Sequence, residues 1–143
     1  MRPVAALLMV ITLGGSAVLA QPKPASLYER VGRYDTIAVI ADEYLRGLRA
    51  DPQFARFAGR GADSLKRGRQ LLKDQLCAMA GGPCTYVGRD MKAVHGGLGI
   101  NAQEWQANMD YMAAALDKAQ VKGAEKAEFL KMVDALKPEI AEK

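Results

Sequence analysis

A single histidine, His95, occurs in the chain, inside the stretch MKAVHGGLGI that runs from Met91 to Ile100. Most histidine chemistry needs further groups. A zinc ion wants three or four ligands drawn from His, Cys and carboxylates, and Cys77 and Cys84 fall on a different element. A Ser-His-Asp or Cys-His hydrolase needs an activated nucleophile, and no Gly-x-Ser-x-Gly turn accompanies His95. One imidazole is enough, however, for a haem: a neutral ring nitrogen holds the iron from one side and leaves the other side free for a gas. In the last turn of a short helix, His95 can donate its other ring hydrogen to a carbonyl one turn earlier, near Met91, which fixes the tautomer and the ring direction. Gly96 and Gly97 then keep side-chain bulk away from a flat macrocycle. A histidine merely satisfied at a helix end accounts for the same local residues, so the stretch alone leaves both readings open. With no second histidine, ligation of one iron by two imidazoles is excluded.

The elements that must position His95 are helices. Alanine, leucine, lysine and methionine are prominent and aromatics make up only 6% of the chain, a balance that favours helix over sheet. Ser26 and Glu29 fit a capping box ahead of a short first helix that stops at Gly32. Asp35 is placed to cap a longer second helix in which Ile37, Ile40, Ala41, Tyr44 and Leu48 form one apolar stripe, so Tyr44 should point inward. Asp51-Pro52 ends that helix and starts a further turn, and Phe54 and Phe57 should face the same interior. A helix from Asp63 carries Leu65, Leu72, Leu76 and Met79 on one face. Gly68 within it costs about 1 kcal/mol relative to alanine, which close approach by something bulky would explain, as would a plain weak spot. An irregular connection, GGPCTYVGR, leads to the short helix from about Asp90 to His95. Two long helices follow, one striped by Trp105, Met109, Met112 and Leu116, the other by Phe129, Met132, Val133, Leu136 and Ile140, with Pro138 expected to kink or loosen its last turns.

Ahead of these elements, residues 1–20 have Arg2, an apolar run from Val4 to Leu13, and small residues at Val18 and Ala20, the pattern of a secretory signal peptide. An uncleaved membrane anchor is the competing reading, although the run is short of the roughly 20 residues that a spanning helix needs. Export to a bacterial periplasm, with no stable membrane span after cleavage, is the expectation. Residues 21–25 read as a Pro-rich tether and 26–143 as one domain. The whole chain carries a formal charge of +4. That is mild, the basic residues are dispersed, and no aromatic platform alternates with them, so nucleic acid is not an expected partner. Cys77 and Cys84 are an even pair in an exported chain; the compartment allows a disulfide, and the sequence leaves open whether it forms.

Residues 26 to 140 closely resemble a truncated haemoglobin of the first group. The likeness rests on the ordered set LYERVG, ADPQFARFAGR, GGPCTYVGR and MKAVHGGLGI. The resemblance implies an all-α truncated globin fold, a two-over-two helical sandwich around non-covalent haem b. It makes His95 the proximal iron ligand, Tyr44 the distal tyrosine whose hydroxyl donates to the bound gas, and Phe57 the aromatic residue that packs on the haem at the helix corner. Leu65 would fall on the distal wall, and Met91, Val94, Leu98, Trp105, Met109 and Met112 on the proximal side or floor; Leu72 is a further expected haem-binding residue. Tyr86 matches a loop tyrosine near the haem edge. Two departures stand out. The usual Gly-Gly pair between the first two helices is Gly32-Arg33 here, and the helix before GGP looks a few residues longer than in many relatives. The glutamine that often partners the distal tyrosine is therefore Arg69 by an ungapped count, or Gln70 with a one-residue shift; Arg69 could instead reach a haem propionate. The resemblance implies a monomer or weak oligomer that binds O2, and also NO and CO, as a carrier or store. Conversion of NO to nitrate needs a partner reductase, because no flavin or nicotinamide fingerprint is present. A haem-free helical interaction module is the reading that haem titration separates from both.

Overall fold

The computed structural model describes residues 23–57 and 61–142. The leader read at 1–20 and the first two residues of the tether lie outside the described residues. Every regular element described is helical: α1 (Leu27–Val31), α2 (Arg33–Ala50), a 3-10 turn (Pro52–Phe57), α3 (Ala62–Met79), α4 (Met91–His95), α5 (Ala102–Lys118), α6 (Gly123–Asp134) and α7 (Lys137–Ile140). α2 packs chiefly on α5 and α3, and α5 on α6, which gives the two-on-two helical sandwich. Among the described residues no helix is long and apolar enough to cross a membrane.

The Ser26–Glu29 box forms as expected, with the Ser26 amide donating to Glu29 Oε2 at 2.9 Å. The joint that follows does not. α2 starts at Arg33 and not at Asp35, because Gly32 (φ 108°) closes α1 in a left-handed conformation and Arg33 (φ 65°) continues it, turning the chain straight into the next helix. A side chain at Gly32 is barred twice, by that φ and by Thr36 Oγ1, 2.4 Å from where a Cβ would stand. Asp35 instead sits in the first turn of α2, where its charge suits the helix N-terminus.

The apolar stripes converge as their spacing requires. Ile37 and Ile40 of α2, Met112 and Leu116 of α5, and Phe129 of α6 are fully buried in one cluster. Each such side chain contributes about 1.5–3 kcal/mol by leaving water. The last helix departs from its expected course. A stripe running to Ile140 is cut at Asp134, because the ring of Pro138 collides with a helical carbonyl four residues back; α7 then restarts with the proline in its first turn. At the other end of the molecule, Cys77 and Cys84 are joined in a disulfide that fastens the last turn of α3 to the connection beyond it.

Candidate functional site

A cavity of about 500 Å³ opens among these helices. Its walls are mainly apolar: Leu48 of α2, Phe54 and Phe57 of the 3-10 turn, Leu72 and Leu76 of α3, Met91 and Val94 of α4, Trp105 and Met112 of α5, and Val133, Leu136 and Ile140 near the C-terminus. Its size is that of a site for a cofactor or drug-sized ligand. Leu98 and Ile100 close it beside α4.

His95 enters this cavity from the last turn of α4. Asp90 starts that helix by accepting from the Ala93 amide at 2.8 Å, and the Gly96 amide ends it by returning to the Lys92 carbonyl at 2.8 Å. Two turns are thus tightly defined, and they aim the imidazole. His95 Nδ1 lies 2.9 Å from the Met91 carbonyl oxygen. A carbonyl only accepts, so Nδ1 carries a hydrogen, and Nε2 has no hydrogen-bond partner among the described residues. Beyond His95 the chain turns on Gly97 at φ 74°, with open space where a Cβ would stand.

Tyr44 reaches the same cavity from α2, and its hydroxyl donates to Asn108 Oδ1 on α5. Burial pushes the Tyr44 phenol well above its ordinary value, so it stays protonated and remains a donor. Near Phe57 the wall becomes charged. Arg56 forms an ion pair with Glu104, makes a second bond from Nη2 to Oε2 at 2.9 Å, and lays its guanidinium 4.2 Å from the centre of the Phe57 ring. The Glu104 carboxyl is held below the usual range by Arg56 first and by the Asn101 amide second. Glu104 also closes the capping box of α5 with Asn101, so one buried carboxylate fixes both the helix start and the arginine.

Residues 26–142 match the bacterial-like globin family. The chain is a member of that family. It is 34% identical over 120 residues to the group 1 truncated hemoglobin of Mycolicibacterium paratuberculosis, covering 83% of this chain and 86% of that one. In three dimensions it is similar to the Fe(III) form of truncated hemoglobin from Tetrahymena pyriformis, with a TM-score of 0.76, 21% identity, and 83% and 100% of the two chains covered. It is likewise similar to hemoglobin from Chloroflexus aurantiacus, with a TM-score of 0.71, 25% identity, and 82% and 99% covered. This is a haem-binding globin-type protein with the truncated fold.

Of the residues that sequence reasoning assigned to the pocket of this globin, Tyr44, Phe57, Leu72, Met91, Val94, His95, Leu98, Trp105 and Met112 come together around the cavity. Leu65, Arg69, Tyr86 and Met109 do not line it. Leu65 sits in the first turns of α3, whereas the cavity is met by the C-terminal half of that helix, through Leu72, Gln75 and Leu76. Arg69 points the other way and forms a two-bonded ion pair with Asp42 of α2, and Gln70 donates to Tyr34 Oη at 2.8 Å and to Asp74 at 2.9 Å. Neither residue partners Tyr44. The Tyr86 hydroxyl turns back to the Arg89 carbonyl at 2.6 Å, and Met109 packs against the core cluster. Trp105, besides lining the cavity, ties α5 to α6 through a 2.9 Å bond from Nε1 to Asp134.

Four polar cavity residues escaped the sequence reading: Arg56, Gln75, Glu104 and Asn108. Two carried a usable signal. Gln75 follows Leu72 by three positions and Asn108 follows Trp105 by three, so each interrupts an apolar stripe on its inward side.

Proposed function

We propose that this globin holds haem b non-covalently in the cavity, with His95 Nε2 as the protein's ligand to the iron, and that it binds oxygen reversibly as a carrier or store. The observation that carries this is the His95 ring itself, pinned at Nδ1 to Met91 and presenting a bare Nε2 to an apolar cavity. The donor set agrees with a haem and not with a bare metal ion. Among the described residues no cluster of three or more His, Cys, Asp or Glu could hold an ion, whereas one imidazole in a large apolar cavity suits a macrocycle that brings its other ligands with it.

When bound, haem supplies a ferrous iron to which O2, NO and CO attach. The chain's own residues do the rest. The bond from His95 Nδ1 to the Met91 carbonyl orients the imidazole and turns Nε2 towards the cavity. The Leu, Ile, Phe, Met and Val side chains make the wall mainly apolar, which would strengthen a hydrogen bond made inside. Tyr44, kept protonated by burial, can donate to a polarised diatomic ligand once its hydroxyl turns from Asn108 towards the cavity. Such a bond contributes about 1.5–3 kcal/mol, or roughly one to two orders of magnitude in off-rate. Among the described lining residues Arg56, held by Glu104, is the permanent cation that a haem propionate could approach.

Haemin titration tests the proposal. A strong Soret band is expected on adding haemin, lost in His95→Ala, followed by repeated uptake and release of oxygen by the reduced protein. A chain that develops no Soret band, or His95→Ala that develops the same one, overturns it. We further propose that the protein works outside the cytoplasm. The Cys77–Cys84 disulfide supports this, since such bonds persist in oxidising compartments. A mature N-terminus still at Met1 would refute export by cleavage.

A further inference from the structure

Asn108 stands where an apolar residue is expected. It lies three residues after Trp105 and four before Met112, both buried in the cavity wall, and it faces the same space. An asparagine there is weak as a helix former and costly to bury, so its hydrogen bonds need a full account. The Tyr44 hydroxyl donates to its Oδ1, and that is the only hydrogen bond of the side chain among the described residues. Among the described residues the two N–H groups of its amide, beside the cavity, have no partner.

The phenol carries one hydrogen and the amide two, and the bond between them consumes one. With the amide turned as seen here, both spare hydrogens belong to Asn108. With the amide turned over, Nδ2 donates to the phenol oxygen and the Tyr44 hydrogen is released, leaving one spare hydrogen on each partner. Either way the pair keeps donors for a third group, and in the orientation seen they come from the asparagine.

We propose that Asn108 is a second hydrogen-bond donor to a diatomic ligand in the cavity, and hence a residue that sets the protein's preference for oxygen over carbon monoxide. This rests on the haem reading above. Oxygen becomes strongly polarised when it binds ferrous haem and gains from nearby donors, whereas carbon monoxide gains much less. The pair also explains how oxygen can be held although neither Arg69 nor Gln70 reaches Tyr44. Gln75 of α3 lines the cavity as well, but makes no bond to the phenol.

The test is a double-mutant cycle of Asn108→Leu and Tyr44→Phe on the haem-loaded protein, reading oxygen and carbon monoxide off-rates by flash photolysis and stopped flow. In the Tyr44→Phe background Asn108→Leu should raise the oxygen off-rate about three- to tenfold, the yield of one neutral hydrogen bond, and leave the carbon monoxide off-rate within about twofold; with Tyr44 present the rise should be smaller, because the phenol hydrogen released by Asn108 can turn to the ligand. The decisive comparison is in the Tyr44→Phe background. An Asn108 that only positions Tyr44 has nothing left to position there, so a further rise of at least about threefold identifies donation by Asn108 itself. The C–O stretching band of the carbon monoxide complex is an independent readout and should move to higher wavenumber when Asn108→Leu is added to Tyr44→Phe. Unchanged off-rates and an unmoved band in the Tyr44→Phe background overturn the proposal. Failure of the haem reading is distinguishable, because it shows beforehand as the missing Soret band and removes this inference with it.

Discussion

Two helical glycines should respond in opposite ways to the same substitution. Gly47 lies in α2 and Gly68 in α3, and replacing either by alanine gains about 1 kcal/mol of helix propensity. At Gly68 nothing lies within 4 Å of the new methyl, so the gain is kept. At Gly47 the methyl arrives 2.5 Å from Tyr111 Cδ1 and 3.2 Å from Cε1, well inside contact distance. The ring cannot swing aside freely. Its hydroxyl donates to Asp51 at 2.8 Å, and its edge meets Phe54 with centroids 6.3 Å apart. Moving it sacrifices most of a hydrogen bond worth about 1 kcal/mol and an aromatic contact worth about 0.5–1.5 kcal/mol, besides the strain of overpacking. Gly47→Ala should therefore be net destabilising by about 1–2 kcal/mol, and Gly68→Ala stabilising by about 0.5–1 kcal/mol. For a domain of this size that is a fall in Tm of about 5 °C against a rise of about 3 °C, read by far-UV circular dichroism during heating. Because Phe54 and Leu48 also line the cavity, the Gly47 variant should bind haemin less tightly. Tyr111→Ala in both backgrounds completes the cycle: with the ring gone, Gly47→Ala should turn stabilising. A Gly47→Ala protein that gains stability as Gly68→Ala does, with Tyr111 in place, would show that the ring is not held as described.

Two other outcomes are expected. Arg33→Gly relieves a left-handed residue that costs about 1–2 kcal/mol, less about 0.5–1 kcal/mol for the freer unfolded chain, so Tm should rise by a few degrees; no rise would mean the joint tolerates arginine without strain. Asp42 has its carboxyl held below its ordinary value of 3.8 by Arg69 and then Lys73, so its contribution is complete above that pH and is lost as pH falls through the lower folded value. Asp42→Asn should accordingly cost about 0.5 kcal/mol at neutral pH, less in high salt, and converge with the parent protein in acid; a difference that persists under acid conditions contradicts the ion pair as its source.

Much of this was legible in the sequence, for local reasons. The Ser26–Glu29 cap, the inward Tyr44 and the bond from His95 to a carbonyl one turn back depend on residues within four positions of one another, where helix geometry alone decides who meets whom. What failed was register across an irregular connection. Counting from Phe57 into α3 put Leu65 and Arg69 at the cavity, while the helix meets it two turns later, because the count could not know how much chain the corner takes up. The Arg56–Glu104 pair and the bond between Tyr44 and Asn108 were invisible for a related reason. Each joins residues far apart in sequence, and a stripe analysis passes over polar side chains on the inner face. The break at Asp134 was half-seen: Pro138 announced a disturbance, and its effect falls four residues upstream.

The cavity is built from both ends of the described chain. Tyr44 and Leu48 come from its first long helix, and Leu136 and Ile140 from its last turns. Beyond them, the Glu142 amide reaches the Ile100 carbonyl at 2.8 Å and its carboxylate accepts from the Gly99 amide at 3.1 Å, next to the loop that follows His95. A nascent chain lacking this segment has no closed pocket to offer. The pocket is therefore complete only once the last turns have folded back on the loop after His95, so the folding of the C-terminal segment and the capture of a ligand in the cavity are coupled events.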